Sequence, residues 1–213
     1  MKLPLNQIIC GDFLEVTRDW SDGCVDAVVT DPPYNVGLDY SDGDNRPDYA
    51  NWCKAWFREL QRISRGPIAI SCGVNNLLLW QGIEQPTWVI AWLKLNSMKR
   101  VGVGWNTWEP VLLYGKTLGK KTHDSFTVNI VPQKNTGSHP CPKPMGWARE
   151  LIERLTKPGM SVLDPFCGSG TTCIAAKLLD RKFIGIDRSR KYVKIARRRL
   201  DRIEFGDGIG LFS

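Results

Sequence analysis

Asp31, Pro32, Pro33 and Tyr34 place three kinds of chemistry in four consecutive residues. The carboxylate and a prolyl carbonyl can accept hydrogen bonds from an exocyclic amino group. The tyrosine ring can stack on the flat base that carries that group. The two prolines hold the backbone extended and forbid further ladder pairing. On its own the tetrapeptide fits a plain turn equally well. It gains weight from a second stretch, Asp164-Pro165-Phe166-Cys167-Gly168-Ser169-Gly170-Thr171-Thr172. Glycines there let the backbone turn tightly and approach a ligand. Thr171 opens a helix whose N-terminus favours a carboxylate or partial negative charge. The spacing is Phe-x-Gly-x-Gly rather than Gly-x-Gly-x-x-Gly, which disfavours a dinucleotide oxidoreductase. A further acid, Asp187, ends a strand-like run from Arg181 and suits a grip on two ribose hydroxyls.

Elements that position these groups are legible around them. Ala27-Val28-Val29-Thr30 is a continuous apolar, β-branched run, the pattern of a buried parallel strand. It delivers Asp31 just past a carboxyl end, where open α/β sheets bind ligands. Ser161-Val162-Leu163 does the same for Asp164. Further strands are predicted at Gln7–Cys10, Ile68–Ile70, Thr87–Leu95 and Pro110–Tyr114. Phe13–Trp20 and Val74–Trp80 read as short helices. Tyr49–Ile63 carries Trp52, Trp56, Phe57, Leu60 and Ile63 at helical spacing. Pro144 opens a helix through Trp147, Leu151, Ile152 and Leu155, ended by Gly159. Ser189 caps a last helix with Tyr192, Val193, Ala196 and Leu200 facing inward. Its Arg190, Lys191, Lys194, Arg197, Arg198 and Arg199 read as a solvated basic face rather than a nucleic-acid surface. Asn35–Asp48, rich in Gly, Asp, Asn and Ser, reads as a mobile loop overhanging the pocket. The alternation of strand and helix predicts one α/β domain over residues 1–213 with a mainly parallel sheet.

Composition narrows the partner. The 213 residues are 42% hydrophobic and 24% charged, as in a globular domain. A net charge of +7 and a pI near 9.1 favour a polyanion. No run has transmembrane length and the N-terminus lacks a signal-peptide pattern, so a cytoplasmic protein is expected. Seven cysteines without Cys-x-x-Cys, and two histidines, predict reduced thiols and no metal site. The stretches from Lys94 to Trp105 and from Gly115 to Ser138 are basic, Gly-rich and weakly patterned. They form a candidate target-recognition region at about 94–139. There Lys94, Lys99, Arg100, Lys116, Lys120 and Lys121 are either phosphate contacts or solvated loop residues.

The two motifs, in this order, resemble the β-class of S-adenosylmethionine-dependent amino-methyltransferases, which methylate adenine N6 or cytosine N4 in DNA. Gly11-Asp12 after the first strand and His139-Pro140-Cys141-Pro142-Lys143-Pro144 before the second motif extend the resemblance to about residues 6–204. It implies a Rossmann-like seven-stranded methyltransferase sheet, mainly parallel with one antiparallel strand, the catalytic half preceding the cofactor half. It assigns catalysis to Asp31, Pro32, Pro33 and Tyr34, and S-adenosylmethionine as cofactor. Asp12, with Phe13, would meet the cofactor's adenine; from residue type alone Asp12 fits a solvated turn as well. Lys143 would pair with the methionine carboxylate, and Asp164 would lie near its amino group. Phe166, Gly168, Ser169, Gly170 and Thr171 would line the cofactor. Asp187 would hold the ribose, where the family usually has glutamate. In that family Asp at the first tetrapeptide position goes mostly with adenine and Ser with cytosine. The resemblance therefore implies N6-adenine methylation of double-stranded DNA with base flipping, by a bacterial or phage restriction-modification protein. The recognition region is shorter than the family often carries, so two chains sharing one duplex are also expected. The other readings are N4-cytosine methylation, the same chemistry on RNA or on a glutamine amide, and a non-catalytic binding subunit.

Overall fold

The computed structural model describes residues 2–37, 44–130 and 142–204. Ten strands and six helices alternate along them. The first half holds β1 (Gln7–Cys10), α1 (Phe13–Thr17), β2 (Ala27–Thr30), α2 (Tyr49–Ile63) and β3 (Ile68–Ser71). A 3-10 turn at Val74–Asn76 leads into α3 (Leu77–Ile83), and β4 (Trp88–Leu93) follows. A small hairpin comes next, β5 (Arg100–Val101) and β6 (Gly104–Trp105), then β7 (Trp108–Tyr114) and β8 (Ser125–Thr127). The second half is α4 (Met145–Leu155), β9 (Ser161–Asp164), α5 (Thr171–Leu178), β10 (Lys182–Asp187) and α6 (Arg190–Glu204). Among the described residues no helix is long and apolar enough to cross a membrane.

One sheet runs in the order β1-β10-β9-β2-β3-β7-β4-β8. Every neighbouring pair is parallel except those made by β7, which is antiparallel to both β3 and β4. The sheet is thus mainly parallel with one antiparallel strand, and it has one strand more than seven. The addition is β8, three residues paired to the outer edge of β4. The catalytic half does precede the cofactor half, and the two meet where β2 pairs with β9. From that pair the chain winds outward in opposite directions, to β3 and to β10, which opens a crevice at the carboxyl ends.

β2, β3 and β9 are buried along their whole length, as their unbroken apolar runs require. Val29 and Val162 face a core formed with Trp147, Leu151 and Ile174 of α4 and α5. Val28 and Leu163 face the opposite core, with Phe13, Trp56, Phe57 and Trp80 of α1, α2 and α3. Hydrogen bonds fix the register of the two motif strands at both ends. At the amino ends Ser161 donates to Asp26 Oδ2 from its backbone N and its hydroxyl, each at 2.8 Å. At the carboxyl ends Thr30 Oγ1 donates to Asp164 Oδ1 at 2.8 Å.

The basic face of α6 is largely solvated as expected, with Arg190, Lys191, Lys194, Arg197 and Arg198 exposed, but two of its arginines also brace the fold. Arg197 reaches back to the Ile8 carbonyl at 2.6 Å, tying α6 to β1. Arg199 donates to the Ser169 carbonyl at 2.6 Å and to its hydroxyl at 3.0 Å, so it braces the glycine loop. Tight packing continues at Gly170, where φ is +82° and an added Cβ would stand 2.8 Å from Ala196 Cβ. Gly170→Ala is expected to destabilise the protein by roughly 2–4 kcal/mol, from left-handed strain plus overpacking. A thermal or urea unfolding curve reads this directly.

Candidate active site

A pocket opens over the carboxyl ends of β2, β9 and β10. Asp12, Phe13, Asp31, Pro33, Lys143, Asp164, Phe166 and Asp187 all line it, as does the loop from Cys167 to Thr171, Gly170 apart. The two motifs, 130 residues apart in the chain, therefore share one cavity.

The tetrapeptide is pinned from both sides. Tyr49 Oη donates to the Pro33 carbonyl at 2.7 Å, and Asn76 Nδ2 to the Tyr34 carbonyl at 2.7 Å. No hydrogen bond to the Pro32 carbonyl is found among the described residues. Asp31 is 23% exposed. Its Oδ1 accepts from Tyr34 Oη at 2.6 Å and pairs with Lys143 Nζ at 2.9 Å. Its Oδ2 takes no hydrogen bond among the described residues.

Behind Asp31 lies a buried charge network that its motif does not announce. Glu109, on β7, pairs with Lys94 and, at 3.4 Å, with Lys143. Tyr34 Oη lies 2.9 Å from Ser71 Oγ and 3.3 Å from Glu109 Oε2, and receives a hydrogen bond from Lys143 Nζ at 3.1 Å. Burial pushes the Asp31 carboxyl above its ordinary range, against Lys143 and the Tyr34 hydroxyl, with the Glu109 charge adding to the push. Burial also works against Glu109, but there the ammonium groups of Lys143 and Lys94 prevail and hold its carboxyl below the usual range. The Tyr34 hydroxyl is driven far up by burial and by both carboxylates, so it remains a donor.

Several sequence expectations change here. Lys94 is 6% exposed and joined to Glu109, so it is a structural ion-pair residue rather than a phosphate contact. Lys143 lines the pocket, but its ammonium is engaged with the catalytic network and not left open toward a methionine carboxylate. Tyr34 is not among the residues that line the pocket; Gly73 stands against its ring edge and Lys143 Nζ lies 5.0 Å from its ring centroid. Lys116, Lys120 and Lys121 follow the opposite end of the strands, where β7 finishes at the amino end of β3. Because β7 runs antiparallel, Gly115 emerges beside Pro67 at the amino end of β3. Lys120 N then donates to the Glu153 carbonyl near the end of α4. That end of β7 is about 20 Å from the Asp31 end. Lys99 and Arg100 do remain exposed, on the β5–β6 hairpin that follows the carboxyl end of β4. Of the expected mobile loop, residues 38–43 lie outside the described residues, and its flanks are stitched. Asp44 accepts from Asn35 N at 2.5 Å and from Val36 N at 2.9 Å. His139, Pro140, Cys141 and the 131–139 part of the recognition region also lie outside the described residues.

The cofactor-side residues converge. Asp12 caps α1 through Leu14 N at 3.0 Å. Asp187 accepts from Gly168 N at 2.9 Å and from Ser189 N at 2.8 Å, which fixes the glycine loop to the end of β10. Phe166 packs against Trp52 and Trp56, with centroids at 5.5 and 5.2 Å. Asp164 is 3% exposed, and burial raises its carboxyl to about 7 despite hydrogen bonds from Thr172, Thr30 and Phe166 N. Cys167 is held as a thiol by its hydrogen bond with Cys173 and by burial, so it offers no thiolate nucleophile. Three carboxylates beside aromatic rings fit a ligand with a flat base, a ribose and two positive centres. S-adenosylmethionine has all of these.

Solved structures place this fold among methyltransferases. The M1.HpyAVI–SAM complex is 28% identical, covers 91% of this chain and 99% of its own, and superposes with a TM-score of 0.67. PvuII DNA methyltransferase, cytosine-N4-specific, shares the fold at a TM-score of 0.73 and 18% identity, covering 90% of this chain and 85% of its own. Among curated relatives, the Type II methyltransferase M.HpaI of Haemophilus parainfluenzae is 29% identical over 92% of this chain and 74% of its own length. M2.DpnII of Streptococcus pneumoniae is 28% identical over 83% and 82%. The N6/N4 DNA methylase family model matches residues 25–117 and 96–198, and the chain belongs to that family. These are S-adenosylmethionine-dependent DNA amino-methyltransferases, which act on adenine N6 or cytosine N4.

Proposed function

We propose that this protein transfers a methyl group from S-adenosylmethionine to N6 of adenine in double-stranded DNA. The observation that carries the reading is Asp31, whose Oδ2 takes no hydrogen bond among the described residues, lining one cavity with the glycine loop. Asp31 and the Pro32 carbonyl accept the two N–H bonds of the target amino group, which aims its lone pair away from the ring. Positive charge then grows on that nitrogen, and both acceptors bind it more strongly than in the ground state. Asp187 holds the ribose hydroxyls, Asp12 the adenine amino group and Asp164 the methionine ammonium. Phe13, Phe166 and the Gly168–Thr171 loop enclose the cofactor between them. S-adenosylmethionine bound there supplies an electrophilic methyl group on a sulfonium. The target base leaves the duplex to reach Asp31, and Tyr34, outside the cavity lining, orients the Asp31 carboxylate through its hydroxyl. Aspartate at position 31 supports adenine over cytosine by the family tendency given above.

The β5–β6 hairpin is the surface we assign to DNA. It rises from Lys94 and Trp108, next to Glu109, and carries Lys99 and Arg100. Val103 at its tip is 99% exposed and Trp105 is 46% exposed, beyond what a free surface needs. The Lys99→Ala/Arg100→Ala double variant is expected to reduce the slope of log affinity against log salt by about 2. Substituting Lys116, Lys120 and Lys121 together should leave that slope unchanged, and fluorescence anisotropy at several salt concentrations measures both. The reading includes two copies on one duplex, acting on DNA in a bacterial cytoplasm. Labelled S-adenosylmethionine incubated with unmethylated DNA and with RNA tests the substrate. Label in DNA alone supports the proposal, and label in RNA alone overturns it.

A further inference from the structure

We propose that Glu109 is a positioning residue that takes over the Tyr34 hydroxyl from Asp31 as the target amino group becomes positive. The inference rests on the amino-methylation reading, and Glu109 itself lies in no motif. The Tyr34 hydroxyl has one proton and three oxygens in reach: Asp31 Oδ1 at 2.6 Å, Ser71 Oγ at 2.9 Å and Glu109 Oε2 at 3.3 Å. In the arrangement described it lies nearest Asp31, whose Oδ1 also pairs with Lys143. Two donors on one oxygen draw charge from the carboxylate. They weaken Oδ2 as an acceptor when charge develops on the amino nitrogen.

Rotation about the tyrosine C–O bond, with a shift of a few tenths of an ångström, re-aims the proton from Asp31 to Glu109. No proton leaves the hydroxyl and no covalent bond changes. Lys94 keeps Glu109 charged and in place from the far side. Lys143 touches both carboxylates, so it stays paired in either arrangement. Glu109 acts through Tyr34 and does not touch the base.

Glu109→Gln is the test. With wild-type methylation established, the variant should lose about tenfold to a hundredfold in kcat, the worth of one charge-assisted hydrogen bond. KM for DNA and Kd for S-adenosylmethionine should hold. The Asp31 titration should also move to lower pH. Asp31 faces Tyr34, Lys143, Glu109, Cys72 and Asp164, and the variant removes one of the anions among them. NMR of carboxyl-labelled aspartate reads that shift without turnover. In a Tyr34→Phe background, where there is no hydroxyl to hand over, Glu109→Gln should cost nothing further. If the single variant fails to fold, Lys94→Met/Glu109→Gln strands no charge and carries the same expectations. Unchanged kcat, or a loss that persists in full without the hydroxyl, overturns the inference. Absence of wild-type methylation would instead remove the reading beneath it.

Discussion

Asp31→Ala is expected to slow methyl transfer by about 10²–10³-fold, the usual effect of removing one preorganised charge stabiliser. Affinity for S-adenosylmethionine should be retained. The tetrapeptide backbone is fixed by Tyr49 and Asn76, neither of which contacts the Asp31 side chain. Lys143 keeps Glu109 as a partner, so the substitution does not strand a buried ammonium. The Asp31 charge also contributes to raising Asp164, so the variant should bind the cofactor as well as the parent or better. Single-turnover kinetics and tryptophan-quenching titrations separate the two quantities. Turnover near the parent rate would remove Asp31 from the mechanism.

Cofactor affinity is expected to rise about tenfold from pH 6 to pH 8, because Asp164 must lose a proton to receive a cationic ligand. Its carboxyl titrates at about 7 in the folded chain because it is buried. The unfolded value is near 4. Between those values the folded state holds a proton that the unfolded state has lost. Stability is therefore fully present below about pH 4 and is lost as pH rises through 7, by about 4 kcal/mol in all. An ammonium beside Asp164 reverses this preference, so binding near pH 7 releases a proton. Calorimetry in buffers of different ionisation enthalpy measures that release. Asp164→Asn can still accept from Thr30 and from Phe166 N, at the positions now 2.8 and 3.1 Å away. It should stabilise the free protein at pH 8, bind the cofactor weakly and lose the pH dependence. A parent affinity flat from pH 6 to pH 8 would contradict the assignment.

The two motifs were legible because they are local. Each is a continuous apolar strand followed by a turn, and both properties lie in adjacent residues. The partners behind them were not, because they depend on strand direction. Glu109 precedes an apolar run and looks like an ordinary strand-end acid. It reaches Tyr34 only because β7 is antiparallel, which brings the start of β7 to the carboxyl end of β3. The same reversal carries Lys116, Lys120 and Lys121 away from the carboxyl ends of the parallel strands, although they follow β7 by only a few residues. Lys94 looked like a loop cation, since nothing nearby in sequence reveals a buried partner fifteen residues on. Helical periodicity puts Arg199 on the solvated face, yet a long side chain can leave its own face to satisfy the Ser169 carbonyl.

Nucleoside mass spectrometry tests the central claim most directly. Unmethylated duplex DNA is incubated with the protein and S-adenosylmethionine, digested and resolved beside a parallel Asp31→Ala reaction. N6-methyladenine with the parent, and at least about a hundredfold less with the variant at equal early times, is the predicted result. N4-methylcytosine in its place would contradict the base assignment, and unmodified DNA despite bound cofactor would contradict the activity itself.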